Sequence, residues 1–297
     1  EMRMSTDCSS TTTWIIKFFR TMIENAMGMS IYERDDDGGE EEDEAAAPIV
    51  KALNENGVTS LCLELIAPGI DEELQSEVVK LLVGMLFKEG GAREVQGTVH
   101  NYLTTVNSEL FFKQVRSTIQ KLIAWHEWNE IIILEEDEEP EPPEDILIIR
   151  MLQLLSEGHF GPNQEIMREQ PNNIIQINLL DDFVNYLNVL SRLPCQTSTD
   201  AGIRIGATIV EIIQGPCIGN QKHFALNTEL LEIVNRIMRA KPLNDCKEDQ
   251  EIELKKTCVD TISALLEGQM PKDQVTVRIL SVLHVDIFQT LAMPIIP

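Results

Sequence analysis

The sequence predicts an all-α protein, an armadillo-like α-solenoid or helical bundle whose helical segments are joined by acidic, disordered linkers. Three observations carry this. Apolar residues recur every three to four positions, the period of one helix face, and no stretch shows the alternation of a strand. Aromatic residues make up only 5% of the 297, while Leu, Ile, Val and Met abound, which suits helix packing better than a β-sandwich. Gly and Pro cut the periodic stretches into short helices, and short helices that bury a common seam stack as a solenoid, although no repeat of fixed period is visible.

Residues 1–34 are an N-terminal helical segment. Its centre, residues 14–29 (WIIKFFRTMIENAMGM), is apolar on more than one face, as expected of a helix cut from a larger packed neighbour. Residues 35–45 form an acidic linker, because DDDGGEEEDE combines like charges with Gly and cannot bury enough apolar surface to fold. An EF-hand does not fit there: counted from Asp35, the twelfth position is Ala46 and not a bidentate Glu. Residues 46–134 are a helical solenoid segment with breaks at Gly57, Pro68, Gly69, Gly90 and Gly91. Within it Leu74, Val78, Leu81, Leu82, Met85 and Leu86 share one helix face. Acids open that helix and Lys88 lies near its end, as the helix dipole prefers, and Gly90 and Gly91 supply a left-handed stop.

Residues 135–145 (EEDEEPEPPED) are a second, Pro-rich acidic linker. Residues 146–297 are a second helical domain, with periodic stretches at 146–157, 174–193, 203–213, 228–240, 251–267 and 274–291. In the penultimate stretch Leu254, Cys258, Ile262, Leu265 and Leu266 form one apolar stripe.

Composition excludes several roles. With 49 acidic against 24 basic residues the formal charge is -25, which repels nucleic acid and anionic membrane faces and favours cations and basic partners. Six cysteines, Cys8, Cys62, Cys195, Cys217, Cys246 and Cys258, make no CxxC pair, and no His stands at zinc spacing. Reduced cysteines on apolar helix faces act as small hydrophobes and point to the cytosol. Apolar runs such as 131–134 and 146–149 reach only four residues and fall far short of the ~20 residues of a membrane-spanning helix. There is no Gly-rich phosphate loop with its Lys, since the GIRIG run at 202–206 lacks one, and no G-x-S-x-G or HExxH. The chain reads as a non-enzyme. Trp125, His126 and Trp128 make an aromatic patch suited to packing or a protein contact.

The informative residues are two glutamates on otherwise apolar or neutral runs: Glu157 in LQLLSEGH (152–159) and Glu211 in EIIQGPCIGNQ (211–221). A carboxylate on a core-facing helix position must be paired, protonated or bound to a cation, because burying it alone is costly. Two of them suggest a shared cation. Calcium takes six to eight oxygen ligands, and two glutamates offer at most four, so such a site is incomplete and weak until another body joins it. The plainer alternative is that both are exposed helix-end charges, or pair with Arg150, Arg168 or Arg204.

These stretches resemble the RIH-associated domain of the intracellular calcium-release channels, the ryanodine receptors and inositol trisphosphate receptors. The resemblance is carried by Leu152, Gln153, Leu154, Glu157 and His159, and by Glu211, Gln214, Gly215, Pro216, Cys217, Asn220 and Gln221, of which the Gln-Gly-Pro-Cys run with its Gly-Asn-Gln tail is most specific. Weaker likeness runs through Gly90, Gly91, Val95, Gln96, Phe111 and Phe112, and on to residues 252–268, with the ryanodine receptor branch slightly favoured. Ser156, Phe160 and a shortened 194–208 stretch depart from the family pattern.

The resemblance implies a cytosolic regulatory and coupling piece of a channel subunit in the endoplasmic or sarcoplasmic reticulum membrane. It implies calcium as the bound ion with Glu157 and Glu211 as ligands, and His159 and Gln214 as donors that hold those carboxylates. Remaining ligands would come from another domain, and the other domains and subunits of a homotetramer would be the partners. The chain starts at Glu1 and not at Met, in keeping with an internal piece of a larger polypeptide whose pore lies elsewhere. The rival is a free-standing acidic α-solenoid scaffold that binds basic protein partners; flanking genomic sequence discriminates the two.

Overall fold

The computed structural model describes residues 6–28, 30, 40–88, 91–105, 108–136, 143–192, 195–240 and 248–283. Among these the fold is all-α, with fourteen helices and no strand, as the 3-to-4 spacing predicts. The chain divides into two compact units that interleave along the sequence: residues 1–118 with 144–177, and 119–143 with 178–297. The division therefore differs from the segments read off the sequence, since 144–177 groups with the N-terminal helices.

The first unit holds α1 (Thr6–Met27), α2 (Glu40–Glu55), α3 (Val58–Leu65), α4 (Glu72–Leu86), α5 (Arg93–Thr105), the start of α6 (Glu109–Glu136), a 3₁₀ turn (Glu144–Ile146), α7 (Leu147–Ser156) and α8 (Gly161–Ile166). Helix α4 is its axis and packs against α1, α3, α5 and α7. Asp71 caps it, its carboxylate accepting from the N–H of Leu74 at 3.2 Å. The expected stripe is buried from Leu74 to Leu86, but so are Val79, Lys80 and Val83, so α4 is covered on all sides.

A buried lysine on such a helix needs partners. Lys80 Nζ lies 3.0 Å from Glu77 Oε1 and 2.7 Å from Glu144 Oε2, and Arg20 on α1 joins Glu77 at 3.1 Å and Glu24 at 2.8 Å. The bond from Lys80 holds the Glu144 carboxyl below the usual carboxylate range. The end of the second acidic tract is thus fastened down, whereas the sequence reading made all of 135–145 a linker. Two further corrections concern the acidic tracts: α6 continues to Glu136, and residues 40–44 belong to α2. Acids at a helix start are favoured by the dipole, and the following Ala-rich stretch propagates the turn. Residues 31–39 and 137–142 lie outside the described residues.

On α1, Ile16, Ile23 and Met27 are buried while Trp14 and Phe18 are 71% and 62% exposed, the second apolar face the sequence indicated.

The second unit holds the rest of α6 with α9 (Leu179–Leu190), α10 (Gln196–Ile213), α11 (Ile218–Asn227), α12 (Leu230–Arg239), α13 (Glu248–Leu266) and α14 (Gln274–Val282). Its largest contact is α10 on α13. Gly202 and Gly206, one turn apart, make that contact close: a Cβ on Gly206 would lie 2.4 Å from Thr257 Cγ2, and one on Gly202 3.2 Å from Leu254 Cδ1. The GIRIG run is a packing surface. On α13 the buried set is Thr257, Cys258, Thr261, Ile262, Ala264 and Leu265, with Leu266 at 36% exposure, so the stripe is rotated from the expected one.

His126 and Tyr186 meet in this core, both essentially buried, with Tyr186 Oη 3.2 Å from His126 Nδ1. His126 is therefore a core residue, and only Trp128 of the aromatic patch stands well exposed.

Candidate functional sites at two helix ends

Glu157 is the C-cap of α7, and the chain leaves the helix through Gly158 and His159, both left-handed at φ 66° and 61°. The turn is held from outside by side chains far away in sequence. Gln96 on α5, fully buried, donates from Nε2 to the carbonyls of Leu154 and Glu157, both at 2.9 Å. Asn163 Nδ2 donates to Leu155 O at 2.9 Å, and the guanidinium of Arg93 donates to Gly158 O. Gly91 lies so close that a Cβ there would stand 2.8 Å from Glu157 O, and its φ of 89° is itself a left-handed position that favours glycine. Glu157 is half-buried with Oε2 shielded from solvent; His159 is exposed.

Glu211 stands in the last turn of α10, and Gln214, the C-cap, donates from Nε2 to Glu211 Oε1 at 2.6 Å. Gly215 turns the chain at φ 88°, its N–H donating to Glu267 Oε2 at 2.7 Å. Here too the helix ends are pinned by buried amides. Asn220 Nδ2 donates to Ile212 O at 3.2 Å, and Gln221 Nε2 donates to Ala264 O at 2.7 Å and Glu267 O at 3.1 Å, closing the end of α13 as well. Asn220 and Gln221 are fully buried. The Gly-Asn-Gln tail singled out in the sequence is thus the device that ties α11 to the ends of α10 and α13.

The two glutamates share an electrostatic setting. The aligned peptide dipoles give a helix C-terminus a partial negative charge that disfavours carboxylates and favours cations. Neither α7 nor α10 carries a basic residue in its last turn. Each end therefore sets a carboxylate, a hard oxygen donor, at a helix C-terminus, and at Glu157 the Arg93 guanidinium on Gly158 O supplies a compensating positive charge. Glu157 belongs to the first unit and Glu211 to the second. Among the described residues no cluster of three or more His, Cys, Asp or Glu is placed to hold a metal. No helix among them is long and apolar enough to cross a membrane.

The sequence reading named Gln96, Asn220 and Gln221 only as matching positions. Their capping role was not visible, because the carbonyls they bind lie up to 61 residues away. Arg93 was missed altogether.

Comparison with known proteins gives these ends a context. Residues 145–238 match the family described as RyR and IP3R Homology associated, a span that contains both Glu157 and Glu211. The inositol 1,4,5-trisphosphate receptor itr-1 of Caenorhabditis elegans is 29% identical over 146 residues, covering 43% of this chain. The chain spans about 5% of the length of that curated relative. Because that relative is an inositol trisphosphate receptor, the preference for the ryanodine receptor branch finds no support. By the domain match and the relative alike, this chain is similar to the ryanodine and inositol trisphosphate receptors, the domain match lying at residues 145–238.

Proposed function

We propose that this chain is a cytosolic regulatory and coupling segment of a calcium-release channel subunit of the endoplasmic reticulum, and that it senses calcium through Glu157 and Glu211. The observation that carries the reading is that one matched domain, residues 145–238, contains both glutamates, each set at the negative end of a helix. The hydrogen bond from Gln214 to Glu211 supports Gln214 as the donor that orients that carboxylate; His159 is assigned the corresponding role beside Glu157. A glutamate carboxylate supplies a calcium ion with at most two of its six to eight oxygen ligands. Carbonyl or carboxylate oxygens from another domain of the same polypeptide complete it, so the ion is held best when the two bodies meet, and that differential affinity drives the conformational shift. The partners are the other domains and subunits of a homotetrameric channel, and the role is not catalytic.

The test is calcium-dependent release by the full-length polypeptide in cells lacking other release channels. Glu157→Gln and Glu211→Gln, which keep shape and remove charge, each shift activation to at least tenfold higher calcium while expression and helicity stay unchanged. The isolated chain binds calcium weakly, in the range of about 10⁻⁴ to 10⁻³ M. Unchanged activation in both variants refutes the assignment.

A further inference from the structure

The first unit contains a cavity of about 270 Å³ between α2, the end of α4 and the start of α5. It is just below the range of about 300 to 1,000 Å³ of drug-sized ligand pockets, so it suits a small ligand. Its apolar wall includes Val50, Met85 and Val95, and its rim carries Lys51, Lys88 and Arg93. Three cations around one opening are unexpected in a chain with twice as many acids as bases. Among the described residues Lys88 pairs with no carboxylate, and Lys51 has only a loose, exposed contact with Glu55 at 3.9 Å.

The start of α5 faces the same cavity through Ala92, Arg93, Glu94 and Val95. Where Ser, Thr, Asp or Asn would ordinarily cap the helix stands Ala92, whose side chain cannot accept from the first-turn N–H groups. The Arg93 N–H turns back to Gly91 O at 3.1 Å and the Glu94 carboxylate stands in the same first turn, so the attraction for an anion comes from the three rim cations, against one acid. A rim of Lys51, Lys88 and Arg93 over an apolar wall is the recognition chemistry of one ligand class: a small molecule with a phosphate or carboxylate joined to a compact apolar body.

We infer that this cavity binds such an amphiphilic anion and that occupancy bears on the Glu157 turn. The link is Arg93. Its guanidinium donates to Gly158 O and stacks over the Phe160 ring at 5.3 Å. An anion in the cavity competes for the same guanidinium, drawing it from Gly158 and loosening one of the holds on the residue after Glu157. The binding site does not depend on the calcium assignment, and its test uses no calcium.

The probe is phenyl phosphate, titrated into the 297-residue chain by calorimetry, with inorganic phosphate and benzyl alcohol as the charge-only and ring-only arms. We expect saturable one-to-one binding that weakens with salt, with each control at least tenfold weaker. Lys88→Glu and Lys51→Glu, both exposed positions, each weaken it at least fivefold while circular dichroism is unchanged. Amide exchange at residues 157–161 rises at saturation. No saturable binding, or binding indifferent to both lysine variants, overturns the site. Inorganic phosphate binding as well as phenyl phosphate reduces it to an adventitious ion only. Binding without any change in exchange at 157–161 overturns the link through Arg93.

Discussion

Replacing Gln96 with Ala tests how the Glu157 turn is held. The substitution removes two hydrogen bonds of 2.9 Å from a fully buried side chain and leaves the carbonyls of Leu154 and Glu157 without that donor. Each bond contributes about 1 kcal/mol net, and a buried carbonyl stripped of its partner costs about 1 to 3 kcal/mol. One effect opposes this. Gln96 Oε1 is buried with no hydrogen-bond partner among the described residues, so deleting it returns roughly 1 kcal/mol. The net loss is about 2 to 3 kcal/mol, a large part of a typical stability of about 5 to 15 kcal/mol. In urea, with a slope of about 1 to 3 kcal/mol/M, the midpoint falls by on the order of 1 M. Amide exchange along α7 reports the first unit by itself and should accelerate correspondingly. Gln96→Glu, which keeps size but turns an acceptor toward two carbonyls, loses more than Gln96→Ala. A loss below about 0.5 kcal/mol for Gln96→Ala, or a Gln96→Glu protein as stable as the parent, refutes the capping argument.

Two further outcomes follow from buried groups. Burial pushes the His126 pKa down, so the unfolded state, with a pKa of about 6.5, takes up a proton that the folded core resists. Stability is then full above that value and declines as pH falls through 6.5 toward the lower folded pKa; the urea midpoint should drop between pH 7 and 5.5, and His126→Gln should flatten the slope. Burial also pushes the thiols of Cys62 and Cys258 up to about 12, so iodoacetamide at pH 7.5 leaves both unlabelled in the folded chain and labels both in urea, and labelling of the native protein at either position contradicts the packing described.

Period-based reading of the sequence found the helices whose stability lies in their own apolar face, α4 foremost. It missed α8 and α11 for a shared reason. Helix α8 is six residues long with Pro at its start, and α11 (IGNQKHFALN) mixes polar and apolar positions all round; both are set by tertiary partners. The expected helix start at Ile174 is overridden by Gln170, which donates to the carbonyls of Ile166 and Ile177 and accepts from the N–H of Ile177, so that α9 begins only at Leu179 behind the Asn178 cap. Helix α10 starts at Gln196, earlier than expected, because a Ser- and Thr-rich first turn carries no apolar period and Cys195 caps it. The glutamates were legible as isolated carboxylates in a recognisable motif. What surrounds them was not, since the amides of Gln96, Asn163 and Gln221 reach carbonyls that only the folded chain brings near.

The glycine pair on α10 has a mechanical side. With no side chain at Gly202 or Gly206, the Leu254 and Thr257 side chains of α13 rest directly on the backbone of α10, and the far ends of the two helices are riveted where Glu267 takes the Gly215 N–H and Gln221 grips Ala264 and Glu267. Two rods bonded along their length and at one end resist bending far more than either alone. A push delivered at Glu211 would therefore travel the length of the pair with little slack, and a bulkier residue at position 206 would act as a shim that introduces play into the beam.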